Sequence, residues 1–166
     1  TPLVPVLLAA GTLILLFGTS APDAAAQAAG QLVFTKSEPP AKASAAKLRR
    51  FIRKHRVRTI TTTADAPEQE LYVLATLRYR PKAAWIKLPH NNGKLRLGFY
   101  QRVKRRWTLA NSNEVGYPNR ARKFRFPFTF KREWGLKTGI RYQVRLSIRD
   151  ARKREKVLAR TYVRVK

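Results

Sequence analysis

The chain has 166 residues, of which 36 are Lys or Arg and nine are Asp or Glu, giving a formal net charge of +27 at pH 7. Hydrophobic residues make up 44% of the sequence, which is enough for the core of one small domain and argues against wholesale disorder. The absence of cysteine excludes a disulfide scaffold, a thiolate zinc site, a thiol nucleophile and a lipid-modified N-terminal cysteine.

The positive charge is confined to the C-terminal part of the chain. Residues 1–46 contain two lysines and two acidic residues, whereas residues 47–166 contain 34 Lys and Arg against seven acids. Twenty-two of the cations are arginines, whose planar guanidinium suits carboxylates and phosphates. A surface of one sign repels itself, so this part of the chain is expected to face an acidic counterpart.

The first predicted element is an apolar segment, residues 2–18, which contains no charged side chain. Its length of about 17 residues is at the lower edge of what spans roughly 30 Å of hydrocarbon as a helix, which predicts a transmembrane anchor within residues 1–20. The alternative is a signal peptide, because Ala26-Gln27-Ala28 forms an A-x-A cleavage site. The predicted anchor side chains are Leu3, Val6, Leu7, Leu8, Leu13, Ile14, Leu15, Leu16 and Phe17.

A linker and a basic helix follow the apolar segment. Residues 21–46 include two consecutive prolines and are predicted as the linker. Residues 47–56 are predicted as a basic amphipathic helix, in which Leu48 and Ile52 share one face with Phe51 beside them. Such a helix rests on anionic lipid headgroups or an acidic partner, or else covers one end of the following domain. Its candidate binding residues are Arg49, Arg50, Arg53 and Lys54.

The remainder, residues 57–166, alternates with period two and is rich in β-branched and aromatic residues. This pattern predicts a mainly β domain, a seven-stranded antiparallel sandwich. Asn92-Gly93 predicts a type I′ hairpin turn between the third and fourth strands. The predicted strands are residues 57–63, 70–80, 83–88, 95–103, 122–131, 139–149 and 156–165.

Two of these strands show the alternation most clearly. Pro127 lies on the outward side of the fifth strand and cannot donate to a ladder, which indicates an edge strand or a bulge. The predicted inward-facing residues of the fifth and sixth strands are Phe124, Phe126, Phe128, Phe130, Ile140, Tyr142, Val144, Leu146 and Ile148.

Residues 136–146, LKTGIRYQVRL, resemble the E–F corner and F strand of immunoglobulin-like and fibronectin type III domains. There a leucine, a turn glycine and a tyrosine precede alternating apolar residues, so the resemblance implies that Tyr142 is the corner tyrosine. It also puts Trp85 in the place of the core tryptophan, although both cysteines of the immunoglobulin pattern are missing. The resemblance implies an Ig-like sandwich that serves as a binding or spacer module without catalytic residues.

The sequence predicts no catalytic, metal or cofactor site. His55 and His90 are isolated from each other and from any metal-binding spacing. Asp65, Glu68 and Glu70 lie in one loop, where pairing with neighbouring arginines is favoured over weak Ca²⁺ binding. We therefore expect a non-enzymatic protein without a cofactor.

These features lead to two hypotheses about function. The first is an accessory subunit, single-pass in a bacterial cytoplasmic membrane with a periplasmic domain, that docks onto acidic subunits of a respiratory, photosynthetic or secretion complex. Anionic lipid headgroups are further expected partners. The second is a secreted module, cleaved after residue 28, that binds nucleic acid, lipopolysaccharide or acidic glycan. Nucleic acid is the weaker partner, because an exported domain rarely meets DNA. Beyond the helix, the candidate residues are Arg102, Lys104, Arg105, Arg106, Arg141, Arg145, Arg149, Arg152, Lys153 and Arg154.

Overall fold

The computed structural model describes residues 30–118 and 120–166, and this part of the chain is mainly β. Its strands and helices, in chain order, are β1 (Gln31–Thr35), α1 (Ala45–His55), β2 (Arg56–Val57), β3 (Thr59–Ile60), β4 (Glu68–Thr76), α2 (Ala83–Ile86), β5 (Lys94–Val103), β6 (Arg106–Gly116), β7 (Lys123–Lys131), a 3-10 helix (Arg132–Trp134), β8 (Arg141–Arg149) and β9 (Glu155–Val165). The predicted mainly β class is confirmed.

Within these two ranges, no helix has the length and apolar character needed to cross a membrane. The transmembrane anchor predicted at residues 1–20 and the predicted cleavage site lie outside the described residues.

The strands form one curled sheet in the order β6-β5-β8-β9-β1-β4-β7, with β2 paired to β1 and β3 paired to β9. The sheet is mixed rather than purely antiparallel, because β1 and β3 both run parallel to β9. Curling brings β5 and β7 face to face, so the ring of Phe99 lies 6.0 Å from those of Phe128 and Phe130. The arrangement is compatible with a β-sandwich whose two layers are joined through β1 and β9.

The predicted alternation of β7 and β8 is confirmed. Phe124, Phe128 and Phe130 are buried, and Phe126 packs partly buried beside them. On β8 the side chains of Tyr142, Val144, Leu146 and Ile148 are buried, and Ile140 packs partly buried against the core. β7 is the last strand in the sheet order, so the edge strand that Pro127 indicates is also confirmed.

Residues 83–88 do not form the predicted strand. The segment begins with the short helix α2, whose first turn is closed by the N–H of Trp85 donating to the carbonyl of Lys82 at 2.9 Å. Trp85 therefore lies on a helix and is only partly buried, so it does not take the place of a core tryptophan on a strand. The tryptophan packed among the core phenylalanines is Trp134, whose ring lies 5.2 Å from that of Phe130.

The Asn92-Gly93 turn has the predicted backbone but a different position. Both residues have positive φ, 47° and 73°, as a type I′ turn requires. The turn connects α2 to β5 instead of two strands, because the residues before it are helical.

Two strands lie where the sequence predicts none. β1 falls within the predicted linker and pairs with five residues of β4. β6 pairs with the whole length of β5. The predicted first strand, residues 57–63, is reduced to the end of β2 and to β3.

Candidate functional site

One surface of the sheet combines arginine with tyrosine and tryptophan. It is the outer side of the layer β6-β5-β8-β9, and its outward positions follow from the burial of Phe99, Val144 and Val163 beside them. We call this surface the aromatic–arginine face and define it by Tyr100, Trp107, Arg141, Arg145 and Tyr162.

Aromatic rings hold the arginines of this face in place. The guanidinium of Arg145 lies 4.2 Å from the ring centroid of Tyr100, and that of Arg141 lies 4.4 Å from the ring centroid of Tyr162. The ring of Trp107 lies 6.1 Å from that of Tyr162. These contacts are cation–π and tilted aromatic pairs, which restrain the long arginine side chains.

A hydrogen-bond network connects the same side chains. Glu155 accepts a hydrogen bond from the hydroxyl of Tyr100 and lies 3.6 Å from the guanidinium of Arg145. The Nε of Arg145 donates to Gln143 at 2.6 Å, and the amide of Gln143 donates to the hydroxyl of Tyr162 at 2.8 Å. The face is therefore ordered by its own polar contacts across β5, β8 and β9.

The phenol of Tyr100 is strongly perturbed. Burial first, and then the hydrogen bond to Glu155, raise the pKa of Tyr100 to about 12. At neutral pH the phenol is uncharged and donates to the carboxylate, so Glu155 is occupied within the network.

Exposed apolar side chains lie in the strands of the face. Leu109, which is paired in register with Tyr100, and Tyr162 remain 39% and 38% exposed. Tyr, Trp and Arg are the residue types that dominate binding energy at protein interfaces, whereas lysine and acids are depleted there. The face therefore combines residue types that are enriched at protein interfaces.

The predicted cations of the β5–β6 hairpin lie next to this face. Arg102 is paired in register with Trp107, and Lys104 and Arg105 form the hairpin tip before Arg106 begins β6. Lys104 and Arg105 have positive φ, 44° and 69°, which is unusual for residues other than glycine and asparagine.

The predicted cations between β8 and β9 lie at the other end of these strands. Asp150 is buried and accepts hydrogen bonds at 2.9 Å from the backbone N–H groups of Arg152 and Arg154. Burial raises the pKa of Asp150, but these bonds and the guanidinium of Arg154 outweigh it and lower the pKa below its usual value. Arg154 thus stabilises the turn, while Arg152 and Lys153 are exposed and Arg149 ends β8 half-buried.

The cations of α1 are not brought to the aromatic–arginine face. α1 lies over the outer side of β1 and β4, where Arg49, Leu48 and Ile52 line a groove with Val33 and Leu74. Its other predicted binding residues, Arg50, Arg53 and Lys54, are exposed on the same helix.

A second cationic site was not predicted as a unit. It is a groove of about 430 Å³ beside the end of β9, and we call it the basic groove. Of its cations, only Arg141 was among the predicted binding residues. The sequence feature that could have revealed this groove is the period-two alternation of β9. It places Tyr162, Arg164 and Lys166 on the same side of the strand. The cations that line the groove are Arg56, Arg58, Arg141, Arg164 and Lys166.

The sequence predicts that Asp65, Glu68 and Glu70 pair with neighbouring arginines, whereas the ion pair that Glu68 forms is with a lysine. Glu68 lies 2.9 Å from the ammonium of Lys131. Among residues 30–118 and 120–166, no three His, Asp or Glu side chains converge in a way that could hold a metal ion.

Comparison with known proteins found no match: no family model, curated protein or solved structure is significantly similar to this chain. Function therefore has to be inferred from the aromatic–arginine face and the basic groove.

Proposed function

We propose that this protein is a non-enzymatic docking subunit. Its Ig-like β-sandwich binds an acidic surface of a partner protein in a multi-subunit bacterial membrane complex, and residues 2–18 anchor it in the membrane. The observation that carries the proposal is the aromatic–arginine face, in which Arg141 and Arg145 are held by tyrosine rings at 4.4 and 4.2 Å.

The strand order supports the Ig-like part of this proposal. β1, β4 and β7 form one layer and β6, β5, β8 and β9 the other, which corresponds to strands A, B and E opposite C′, C, F and G of Ig-like domains. Tyr142 supports it independently, because its hydroxyl accepts a hydrogen bond from the backbone N–H of Lys137 at 2.8 Å, as a corner tyrosine does.

Preorganisation supports docking as the role of the face. A mobile arginine loses rotamer freedom when it binds, and this loss weakens association. Arg145 is already restrained by Tyr100, Gln143 and Glu155, and Arg141 by Tyr162. The face therefore binds a partner with a smaller entropic cost than free surface arginines would.

The charge of the chain supports an acidic partner. With 36 Lys and Arg against nine acids, the domain has few carboxylates to balance its own cations. A partner surface of opposite sign would speed association and fix the orientation of docking. A tether in the same membrane would raise the effective concentration, so that a modest interface suffices.

The test is site-specific photo-crosslinking in native membranes, followed by purification in mild detergent. A photoreactive residue replacing Leu109, within the face, should crosslink to an acidic subunit of a membrane complex. The same residue replacing Thr129, on the outer side of β7, is the matched control and should not. Substituting both Arg141 and Arg145 with Glu should abolish the crosslink from position 109.

Two results would overturn the proposal. One is a monodisperse monomer with no co-migrating membrane protein. The other is equal crosslinking from positions 109 and 129, since this would show that the face has no selectivity.

A second candidate function is binding of a polyanion by the same face. It is favoured by the half-buried Trp107 and the exposed Tyr162 beside Arg141, because aromatic rings next to cations form a stacking surface for nucleic acid. Binding of this kind should weaken steeply with salt, with a log-log slope set by the number of phosphates neutralised. A flat salt dependence would exclude it.

A further inference from the structure

The basic groove is a separate feature from the interface proposed above, although Arg141 and Tyr162 border both. Its five cations come from three distant parts of the chain: the start of the domain, the start of β8 and the end of β9. The inference drawn from it does not depend on the docking proposal.

Strand pairing brings these cations together. On one side, β9 pairs with β8, and this pairing puts Arg141 directly opposite Arg164. On its other side, β9 pairs with β3, and this pairing puts Thr59 opposite Arg164. Arg58 precedes Thr59 and its carbonyl accepts a hydrogen bond from the N–H of Arg164 at 3.0 Å. Lys166 is bonded to β3 in the same way, through the carbonyl of Ile60 at 2.9 Å.

Among the described residues, no acidic side chain balances the cations of the groove. No Asp or Glu lines it, and the ion pairs of residues 30–118 and 120–166 involve other cations. Arg141 and Arg164 form a like-charged pair directly across two strands, an arrangement that destabilises a sheet. Burial, and then the neighbouring charge of Arg58, lower the pKa of Arg56 below its usual value.

We propose that the basic groove binds a ligand that carries two or more phosphate groups close together. Arginine guanidinium groups form paired hydrogen bonds with phosphate oxygens, and four of the five cations are arginines. The hydroxyl-bearing side chains Thr59, Thr161 and Tyr162 also line the groove and are further donors. A single phosphate would leave most of the cations uncompensated, whereas a diphosphate offers oxygens to several of them.

The test uses the full chain in mild detergent at low salt, with inorganic pyrophosphate as the probe in calorimetry. We expect one site per chain, and we expect Arg58→Glu or Arg164→Glu to weaken binding at least tenfold. Lys87→Glu is the matched control, because it makes the same change of charge on an exposed residue that does not line the groove. It should change affinity less than threefold.

A melting curve separates loss of the site from loss of the fold. Arg164→Gln should melt at a higher temperature than the wild type without ligand, because it removes the repulsion with Arg141. It should also lose the stabilisation that pyrophosphate gives the wild type. A variant that is more stable and no longer binds cannot be explained by misfolding.

A parallel experiment with vesicles identifies the source of the phosphate groups. Zwitterionic vesicles containing a lipid with a diphosphate headgroup are compared with vesicles lacking it. Binding of pyrophosphate supports the site, whether or not these vesicles also bind. Binding of the vesicles alone supports it if Arg164→Glu abolishes that binding. No binding of either probe, or an equal loss with Lys87→Glu and Arg164→Glu, would overturn the proposal. These outcomes do not affect the crosslink from position 109, so the two proposals can fail separately.

Discussion

The hydroxyl of Tyr142 accepts a hydrogen bond from the backbone N–H of Lys137 at 2.8 Å, across the turn that leads into β8. The ring of Tyr142 is buried in the core, so a single side chain connects the loop after the 3-10 helix to the inner side of the sheet. Without this bond the N–H of Lys137 loses its side-chain acceptor, and the turn keeps the backbone hydrogen bond that the N–H of Gly139 donates to the carbonyl of Val165 at 2.8 Å.

Tyr142→Phe should therefore reduce the free energy of unfolding by about 1 kcal/mol, the usual net value of one hydrogen bond. Tyr79→Phe is the control, because Tyr79 is exposed and its change should remain within about 0.5 kcal/mol of the wild type. Urea unfolding of the three proteins measures the difference. Equal stability of the two variants would show that the hydroxyl of Tyr142 does not hold the turn.

The tip of the β5–β6 hairpin is strained by its own sequence. Lys104 and Arg105 both have positive φ, a conformation that costs a residue with a side chain about 1 kcal/mol and that Asn-Gly adopts readily. Replacing the pair with Asn-Gly should raise the free energy of unfolding by about 1 to 2 kcal/mol. Replacing both with Gln removes the same charges without freeing the backbone, so its gain should be much smaller. An Asn-Gly variant no more stable than the Gln variant would contradict this explanation.

The pKa of Tyr100 predicts a loss of stability in alkali. The unfolded phenol has a pKa near 10, whereas in the folded chain burial and Glu155 raise it to about 12. Because the folded pKa is the higher one, the stabilisation is complete below pH 10 and is lost as the pH rises from about 10 to about 12. Unfolding in urea at pH 9 and pH 11.5 should show a steeper fall for the wild type than for Tyr100→Phe. Parallel pH profiles would mean that Tyr100 titrates normally.

Much of the sheet can be predicted because burial on one side imposes alternation. β7, β8 and β9 each begin and end within two residues of their predicted bounds, and the residues predicted to face inward on β7 and β8 lie in or against the core. Gln143 and Ser147, on the outward side of β8, are buried as well. β6 is different because it is an edge strand that places polar Asn111 and Asn113 opposite the buried Phe99 and Leu97. An edge tolerates such polar residues, so the alternation that reveals a strand is absent.

Secondary structure is also hard to predict from short apolar segments. Residues 83–88 hold too few apolar positions to distinguish a helical turn from a strand. Residues 31–35 are apolar enough for a strand, but their position between small residues and prolines favours a linker. β1 is stabilised instead by tertiary pairing with β4 and β9, which no local pattern reveals.

The residues of the two candidate sites are also brought together by strand pairing. The outward period of β8 is sufficient to single out Arg141 and Arg145 individually. Their cation–π contacts with Tyr162 and Tyr100 depend on which strands pair with β8. The basic groove depends on the parallel pairing of β3 with β9. A sequence reveals that a residue faces outward more readily than it reveals which distant residues it will face.

Gly30 provides the sharpest test of how the two layers are joined. It has a φ of +75° and immediately precedes β1, the strand that connects β9 to β4. A Cβ at this position would lie 2.1 Å from the carbonyl oxygen of Leu158, 2.6 Å from the nitrogen of Arg78 and 2.9 Å from the carbonyl oxygen of Thr76. All three atoms belong to the backbone, so none can move aside as the end of a flexible side chain could.

Gly30→Ala should therefore lower the free energy of unfolding by about 3 kcal/mol or more, the sum of a positive-φ penalty and a steric clash. Gly139→Ala is the matched control, because Gly139 has a φ of +79° but open space around its Cα. Gly139→Ala should lose only the stability that corresponds to the positive-φ penalty, about 1 kcal/mol. Urea unfolding of the two variants gives the difference directly. Equal losses of stability would contradict the close passage of β1 between β4 and β9.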